Sequence, residues 1–194
     1  LWVVKPGALA GKRTQLLAID IDTGALLLEH EFKKGEAGFA QDMRVSPDGE
    51  FVFLADTGVF RFTKASLIVF EVATRTARTL LSGHEAVRPQ NWVIRKYDGR
   101  PYKLALGLLT FTVGVDGIAL SSDGAWLYFG AMTHDSVFRI PTDVLRDPDA
   151  SPAAVAAAIA FVGKKPMSDG IELLPDGRLI VTDVENGGLA LLSP

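Results

Sequence analysis

The sequence predicts an all-β fold, a β-propeller whose blades are four-stranded antiparallel sheets, and three observations lead to it. First, 48% of the 194 residues are hydrophobic and 22% are charged, which is enough apolar material for a sizeable core. Second, one pattern of strand, Asp-Gly turn and strand occurs three times. Third, the runs between these copies alternate in polarity, which predicts more strands and no regularly alternating helices.

Each copy of the pattern is a short apolar strand, a tight turn and a second strand rich in β-branched and aromatic residues. Glycine adopts positive φ at little cost, so Asp-Gly between two such runs is a strong hairpin signal. The turns are Asp48-Gly49, Asp123-Gly124 and Asp176-Gly177. Further strands extend these hairpins into meanders of three or four strands. They are predicted over residues 2–4, 15–20, 25–28, 66–72, 77–81 and 137–140.

The three turns lie further apart along the chain than the roughly 40–50 residues of one propeller blade. Both intervals must therefore contain insertions. One is predicted over residues 81–102, which are polar and rich in turns. The other covers residues 142–165, where Ser151 before Pro152 predicts a helix start and a short surface helix over residues 153–161. This amounts to about four blades, and we interpret residues 1–194 as one partial propeller domain of a longer chain.

Composition also restricts the partners. The net charge is −3 and the sequence has no long cluster of basic residues, which argues against nucleic acid. The most apolar window, residues 104–115, is too short and too interrupted by glycine to span a bilayer. The absence of cysteine excludes disulfides, thiolate metal sites and thiol nucleophiles. We therefore expect a small-molecule ligand, no nucleic acid and no membrane span, and leave the oligomeric state open.

The chain resembles the yellow / major royal jelly protein family, in its bacterial branch. The most specific stretch starts at Asp116 and runs through Trp126-Leu127-Tyr128 to the Arg146-Asp147 pair. The resemblance also includes residues 1–4, 18–24, 42–43, 55–58, 68–70, 168–171 and 181–183. It implies a longer, six-bladed propeller and a secreted or periplasmic location. Lys5 stands where the family has Asp, so no acidic role is expected there.

A more distant resemblance is to the gluconolactonase–regucalcin superfamily, which implies one divalent metal ion in the central channel. The family's ligand turns fall here on Gln41-Asp42, Asp116-Gly117 and Asp169-Gly170. Gln41 and Asp116 depart from the metal-binding pattern, and the expected Glu ligand would lie upstream of Leu1. Because the remaining ligands are oxygens, Ca²⁺ or Mg²⁺ is favoured over Zn²⁺.

Four residues stand at the starts of the predicted innermost strands, and we expect them to converge at one mouth of the channel: Gln41, Asp42, Asp116 and Asp169. Facing carboxylates raise each other's pKa unless a cation relieves the repulsion. Three alternatives stay open at this point. The side chains cap backbone N–H groups of neighbouring strands; Asp116, Asp169 and Gln41 hold a metal ion; or all four contact a ligand directly.

The leading functional hypothesis is a propeller that binds a small organic ligand in its central channel, and the family resemblance implies aromatic amines for some animal members. The alternative is a divalent-metal-dependent lactone or ester hydrolase with Asp116 as the candidate general base. A second alternative is a protein-interaction scaffold, since fold does not determine function. The sequence has no Gly-x-Ser-x-Gly elbow, phosphate loop or His-Glu-x-x-His motif.

Three further expectations concern one insertion, one histidine and two glycines. The insertion at residues 81–102 mixes polar and aromatic side chains, including His84, Glu85 and Arg88, and is either a loop that overhangs a pocket or an ordinary surface loop. His134 lies in a predicted hairpin turn, where we expect it to be solvated. We also expect close backbone approach or positive φ at Gly117 and Gly170.

Overall fold

The computed structural model describes residues 1–7, 12–58, 63–96 and 98–193. Four antiparallel sheets, called blades one to four in chain order, contain nearly all of the strands. Blade one is β1 (Trp2–Lys5), β2 (Gln15–Ile19) and β3 (Leu26–Glu31); blade two is β4 (Ala40–Val45), β5 (Phe51–Asp56), β6 (Ser66–Glu71) and β7 (Thr76–Leu80). After a small hairpin, β8 (Lys103–Leu104) and β9 (Leu109–Thr110), blade three is β10 (Val115–Leu120), β11 (Trp126–Ala131), β12 (Ser136–Pro141) and β13 (Ala160–Lys164). Blade four is β14 (Ile171–Leu173), β15 (Leu179–Asp183) and β16 (Gly188–Leu192).

Within every blade each strand pairs with the next one along the chain, as a meander requires. The first strands of blades two, three and four pack side by side, because β10 contacts both β4 and β14. These are the inner strands of a propeller, and the prediction of an all-β propeller with about four blades present is confirmed. Blades two and three have four strands each, and blades one and four have three within the described residues.

The three Asp-Gly hairpins form as predicted. Gly49, Gly124 and Gly177 all have positive φ, between 73° and 85°. In each turn the aspartate accepts a hydrogen bond from the backbone N–H two residues later, for example from Glu50 to Asp48 at 3.0 Å. The Asp-Gly pairs therefore serve to form and stabilise the hairpin turns.

The apolar core lies between the blades. The largest cluster joins blades two and three, and Phe53, Ile118 and Phe129 are fully buried in it. A second cluster joins blades one and two around Phe70, and a third joins blades three and four around Ile171. Each blade is thus stabilised mainly by the apolar face of its neighbour.

The predicted helix over residues 153–161 is too long. Helix α1 (Thr142–Arg146) was not predicted, and helix α2 (Pro152–Ala157) starts as expected, with the Ser151 Oγ accepting a hydrogen bond from the Ala154 N–H at 3.2 Å. The chain then turns into β13, because Phe161 pairs with Phe138 and their rings pack edge to face. The run of alanines favours helix, but the aromatic pair across the strands ends it.

One strand connection and one predicted insertion include residues outside the described ranges. The connection from β5 to β6 includes residues 59–62, and the insertion at residues 81–102 includes residue 97; these residues lie outside the described ranges. The described part of that insertion is made of turns and short bridges, as expected. None of the helices within the described residues has the length and apolarity needed to cross a lipid bilayer.

Candidate functional site

The inner strands of blades two and three are interrupted by a β-bulge at the same point. In β4 the pairing skips Gln41, and in β10 it skips Asp116. Asp169 stands at the corresponding point before β14, where the Gly170 carbonyl accepts a hydrogen bond from the Thr182 N–H at 3.1 Å. Bulges redirect side chains away from the ladder. We call these three positions, Gln41, Asp116 and Asp169, the channel mouth.

Asp116 and Asp169 come from adjacent blades, and their side chains are hydrogen-bonded to each other. Asp116 is only 8% exposed, whereas Asp169 is exposed to solvent. Burial, followed by the charge of Asp169, its hydrogen bond and the more distant charge of Asp42, raises the pKa of Asp116 to about 8. At pH 7 the Asp116 carboxyl is therefore mostly protonated, and it donates a hydrogen bond to Asp169.

Asp169 is positioned through the backbone around it. The N–H groups of Asp169 and Gly170 both donate to the Thr182 Oγ1, at 2.8 and 3.1 Å. Ser168, directly before Asp169, is 1% exposed, and its Oγ has no hydrogen-bond partner within the described ranges. The hydroxyl of Thr182 thus holds the segment that presents Asp169 to Asp116.

Asp42 has a different environment from the other predicted site residues. Its Oδ1 accepts hydrogen bonds from the Met43 N–H and from the Arg44 Nη1, both at 2.8 Å. Its Oδ2 accepts a hydrogen bond from the Ile118 N–H at 3.0 Å. Both carboxylate oxygens are therefore bonded to protein donors, and the side chain ties blade two to blade three. Gln41 next to it is exposed.

Arg44, which the sequence analysis missed, connects blade two with blade four. Its Nη1 donates to Asp42 and to the Met43 carbonyl, and its Nη2 donates to the Ile171 carbonyl at 3.4 Å and to Glu172 at 3.1 Å. Arg44 stands three residues after Gln41, so its guanidinium group lies further along the inner strands than the channel mouth. A charged residue between Met43 and Val45 in an inner strand is the signal that could have identified it.

The channel mouth does not form a complete cation site. No group of three or more His, Cys, Asp or Glu side chains in the described part of the chain is arranged to hold a metal ion. Asp116 and Asp169 offer two carboxyl groups and Gln41 one amide oxygen, whereas Ca²⁺ takes six to eight oxygen ligands. The oxygens of Asp42 are already bonded to three donors. We therefore derive no reaction step through a metal.

A cleft with a volume of about 730 Å³ lies elsewhere, between blades two and three. It is lined by Thr57, Thr63, Lys64, Ala65, Gly83, Glu85, Arg88, Pro89, Gln90, Asn91, Thr112, His134 and Phe138. For the insertion at residues 81–102, both a loop over a pocket and an ordinary surface loop were expected as alternatives, and it lines this cleft through residues 83, 85 and 88–91. The expectation that His134 is solvated is wrong, because the side chain is 7% exposed and packs against Phe138 under this segment.

Comparisons with known proteins agree with the propeller. Among solved structures, the chain is similar to hydrazine synthase from Kuenenia stuttgartiensis, with a TM-score of 0.66 and 13% identity over 100% of this chain and 55% of that chain. A luciferin-regenerating enzyme gives a TM-score of 0.51 and 15% identity, over 98% and 57% of the two chains. A gluconolactonase from Xanthomonas campestris gives 0.47 and 13%, over 95% and 59%.

The chain spans little more than half the length of these structures. At such low identities the similarity to the first two structures, whose TM-scores exceed 0.5, shows the fold alone. No curated protein sequence matches the chain. The family model described as major royal jelly protein matches residues 1–193, which is nearly the whole sequence. The resemblance seen in the repeats is therefore confirmed, and the chain belongs to the major royal jelly protein family.

Proposed function

We propose that this propeller binds a small organic ligand carrying an ammonium group at the channel mouth, with Asp116 and Asp169 as its counter-charge. One observation carries the proposal: two acidic side chains from different blades meet in a hydrogen-bonded pair, and one of them is buried. A buried carboxyl without a cation next to it is costly, and its raised pKa reflects this cost. A cationic group of a ligand next to Asp116 would offset this cost of burial.

The chemistry predicts a coupling between binding and protonation. Without a ligand, Asp116 holds a proton at pH 7, because its pKa is raised to about 8. An ammonium group next to the pair favours the ionised form of Asp116 and so displaces that proton. Binding at pH 7 therefore releases a proton to the buffer, and affinity increases as the pH rises from 6 towards 8.5.

The family supports an amine as the ligand class, because the resemblance to its animal members implies aromatic amines for some of them. The exposed side of Asp169 gives such a group access from solvent. Arg44, by contrast, has both terminal nitrogens of its guanidinium bonded to protein acceptors. A cation that enters at the channel mouth thus meets the acidic pair first.

A divalent cation is the second candidate occupant, and metal-dependent lactone or ester hydrolysis would be the activity attached to it. Its support is that Gln41 occupies the same bulge position as Asp116 and could add an amide oxygen. Against it stands the missing third carboxylate. Titration of an amine and, separately, of a metal ion into the same protein distinguishes the two candidates.

The test is calorimetric titration of tyramine and, separately, of Ca²⁺ into the chelator-treated protein. We expect tyramine to bind with proton release, measured at pH 7 in two buffers of different ionisation enthalpy. Asp116→Asn and Asp169→Asn should each abolish binding, while Asp149→Asn, an equal charge change at an exposed loop, should leave it unchanged. Equal tyramine affinity in the wild type and Asp116→Asn would overturn the proposal, and binding of Ca²⁺ alone would favour the metal.

A further inference from the structure

We propose that the cleft between blades two and three is a second binding site, which takes a small organic carboxylate with an apolar body. Its volume of about 730 Å³ lies within the usual range for small-molecule sites. None of the channel-mouth residues lines it. The inference is therefore independent of the proposed amine site, and it concerns a ligand of opposite charge.

His134 provides a hydrogen-bond donor in the wall of the cleft. Its Nδ1 accepts a hydrogen bond from the Ser136 N–H at 3.1 Å, so in the neutral ring the proton is on Nε2. Nε2 forms no hydrogen bond with any described residue, although the ring is almost completely buried. Burial, opposed by the charge of Asp135, lowers the pKa of His134, so the ring is neutral at pH 7. A ligand oxygen in the cleft would satisfy this donor.

The edges of the cleft carry two cations, Lys64 and Arg88. Both side chains are exposed, and neither forms a hydrogen bond or an ion pair with the part of the chain that the structure describes. The alkyl stem of Lys64 packs close to Gly83, within 3.1 Å of where a Cβ would lie, and this contact keeps the ammonium group beside the cleft. Free cations in a concave wall favour an anionic ligand.

The negative charge of Glu85 limits which anionic ligands the cleft can bind. Glu85 is the acidic residue in the lining, so the two cations exceed it by one charge. A monoanion matches this balance, whereas a phosphate dianion would be repelled by Glu85. Arginine also holds a carboxylate through two parallel hydrogen bonds. The charge pattern therefore favours a carboxylate over a phosphate.

Three apolar residues complete the site: Ala65, Pro89 and Phe138. Phe138 is held in place by its contact with the His134 ring, at a centroid distance of 5.6 Å. Gln90, which also lines the cleft, is fixed by a pair of hydrogen bonds with Asp135 at 3.3 Å. The walls are thus ordered by protein contacts, and an aromatic or aliphatic body fits between them.

The experiment is a titration of phenylacetate, followed by calorimetry, with phenylacetamide as the neutral analogue. We expect phenylacetate to bind and phenylacetamide not to bind. Arg88→Gln and Lys64→Gln should each weaken phenylacetate binding at least about fivefold, the effect of losing one charge-assisted hydrogen bond. Lys34→Gln removes the same charge from an exposed position that does not line this cleft, and it should have no effect.

The outcomes separate this proposal from the amine site. Asp116→Asn should leave phenylacetate binding unchanged, so a failure of one site does not imply failure of the other. Equal affinity for phenylacetate in Arg88→Gln, Lys64→Gln and Lys34→Gln would overturn the proposal, as would an absence of binding. Tighter binding of inorganic phosphate than of phenylacetate would overturn the assignment to carboxylates. Lys34, Lys64 and Arg88 are exposed, so the three variants at these positions should melt at the wild-type temperature.

Discussion

The backbone of Gly117 lies so close to blade four that a Cβ at this position would be 2.8 Å from the Ile171 nitrogen. Gly170 stands at the equivalent place one blade later, and a Cβ there would be 3.9 Å from the Thr182 Cγ2. Neither glycine has positive φ. Close approach is therefore confirmed for Gly117, whereas at Gly170 only the Thr182 methyl group lies within 4 Å of the Cβ position among the described residues.

This difference gives a matched pair of variants. Gly117→Ala should destabilise the protein by about 1–3 kcal/mol, because the new methyl group overlaps backbone atoms that cannot move easily. Gly170→Ala, which meets only a methyl group at van der Waals distance, should melt close to the wild type. Urea denaturation monitored by tryptophan fluorescence measures both. Equal midpoints for the two variants would contradict the packing described.

The raised pKa of Asp116 predicts a specific pH dependence of stability. Because the folded protein binds this proton up to a pH of about 8 and the unfolded chain releases it near 3.8, the Asp116 contribution to stability decreases as pH rises from about 4 to 8. Asp116→Asn removes that contribution. The variant should therefore melt at a higher temperature than the wild type at pH 8 and near the wild-type temperature at pH 4. A constant difference across this range would show that Asp116 titrates normally.

The buried side chain of Lys165 makes stability depend on pH in the opposite direction, so that its contribution rises as the pH rises. Its side chain is 5% exposed, its Nζ donates to the Pro166 carbonyl at 3.1 Å, and burial, only partly opposed by Asp135, lowers its pKa to about 7. The folded protein thus loses this proton before the unfolded chain does, so stability rises between pH 7 and 10.5. Lys165→Met should be more stable than the wild type at pH 6, and this advantage should shrink by pH 9.5.

Urea titrations of Lys165→Met at pH 6 and 9.5 measure this prediction. Lys164→Met is the matched control, since Lys164 is exposed and pairs with Asp135 on the surface. An advantage of Lys165→Met that is the same at both pH values would show that the ammonium group is solvated.

Arg44 joins blades two and four through four acceptors, and its side chain is 26% exposed. Arg44→Met should destabilise the protein by about 2 kcal/mol, since it removes one of the three donors to Asp42 and the guanidinium donor to two carbonyl groups and to Glu172. Arg178→Met breaks an exposed pair with Asp176 and should have little effect. Thermal melts at low salt compare the two; an equal loss in both variants would contradict a central role for Arg44.

Local sequence predicted most of the fold and part of the site. Asp48-Gly49 and its two counterparts define hairpins because the turn chemistry is contained within a few residues. Asp116 and Asp169 could be paired because a repeat places equivalent positions at the same edge. The bond from Arg44 to Glu172 and the burial of Lys165 could not be predicted, since both depend on how neighbouring blades pack. His134 was misjudged for the same reason: a segment far away in the sequence covers it.

The bulges at the channel mouth allow the side chains at Gln41 and Asp116 to be replaced without loss of strand pairing. Strand pairing continues on both sides of Gln41 and Asp116, so the ladder imposes no requirement on the side chain that the bulge presents. Blades two and three thus each offer one interchangeable position beside a fixed scaffold. Exchange of the amide of Gln41 for an acid would give three neighbouring carboxyl groups without disturbing a single strand. New ligand specificities are therefore accessible to this fold by single substitutions, in evolution and in the laboratory alike.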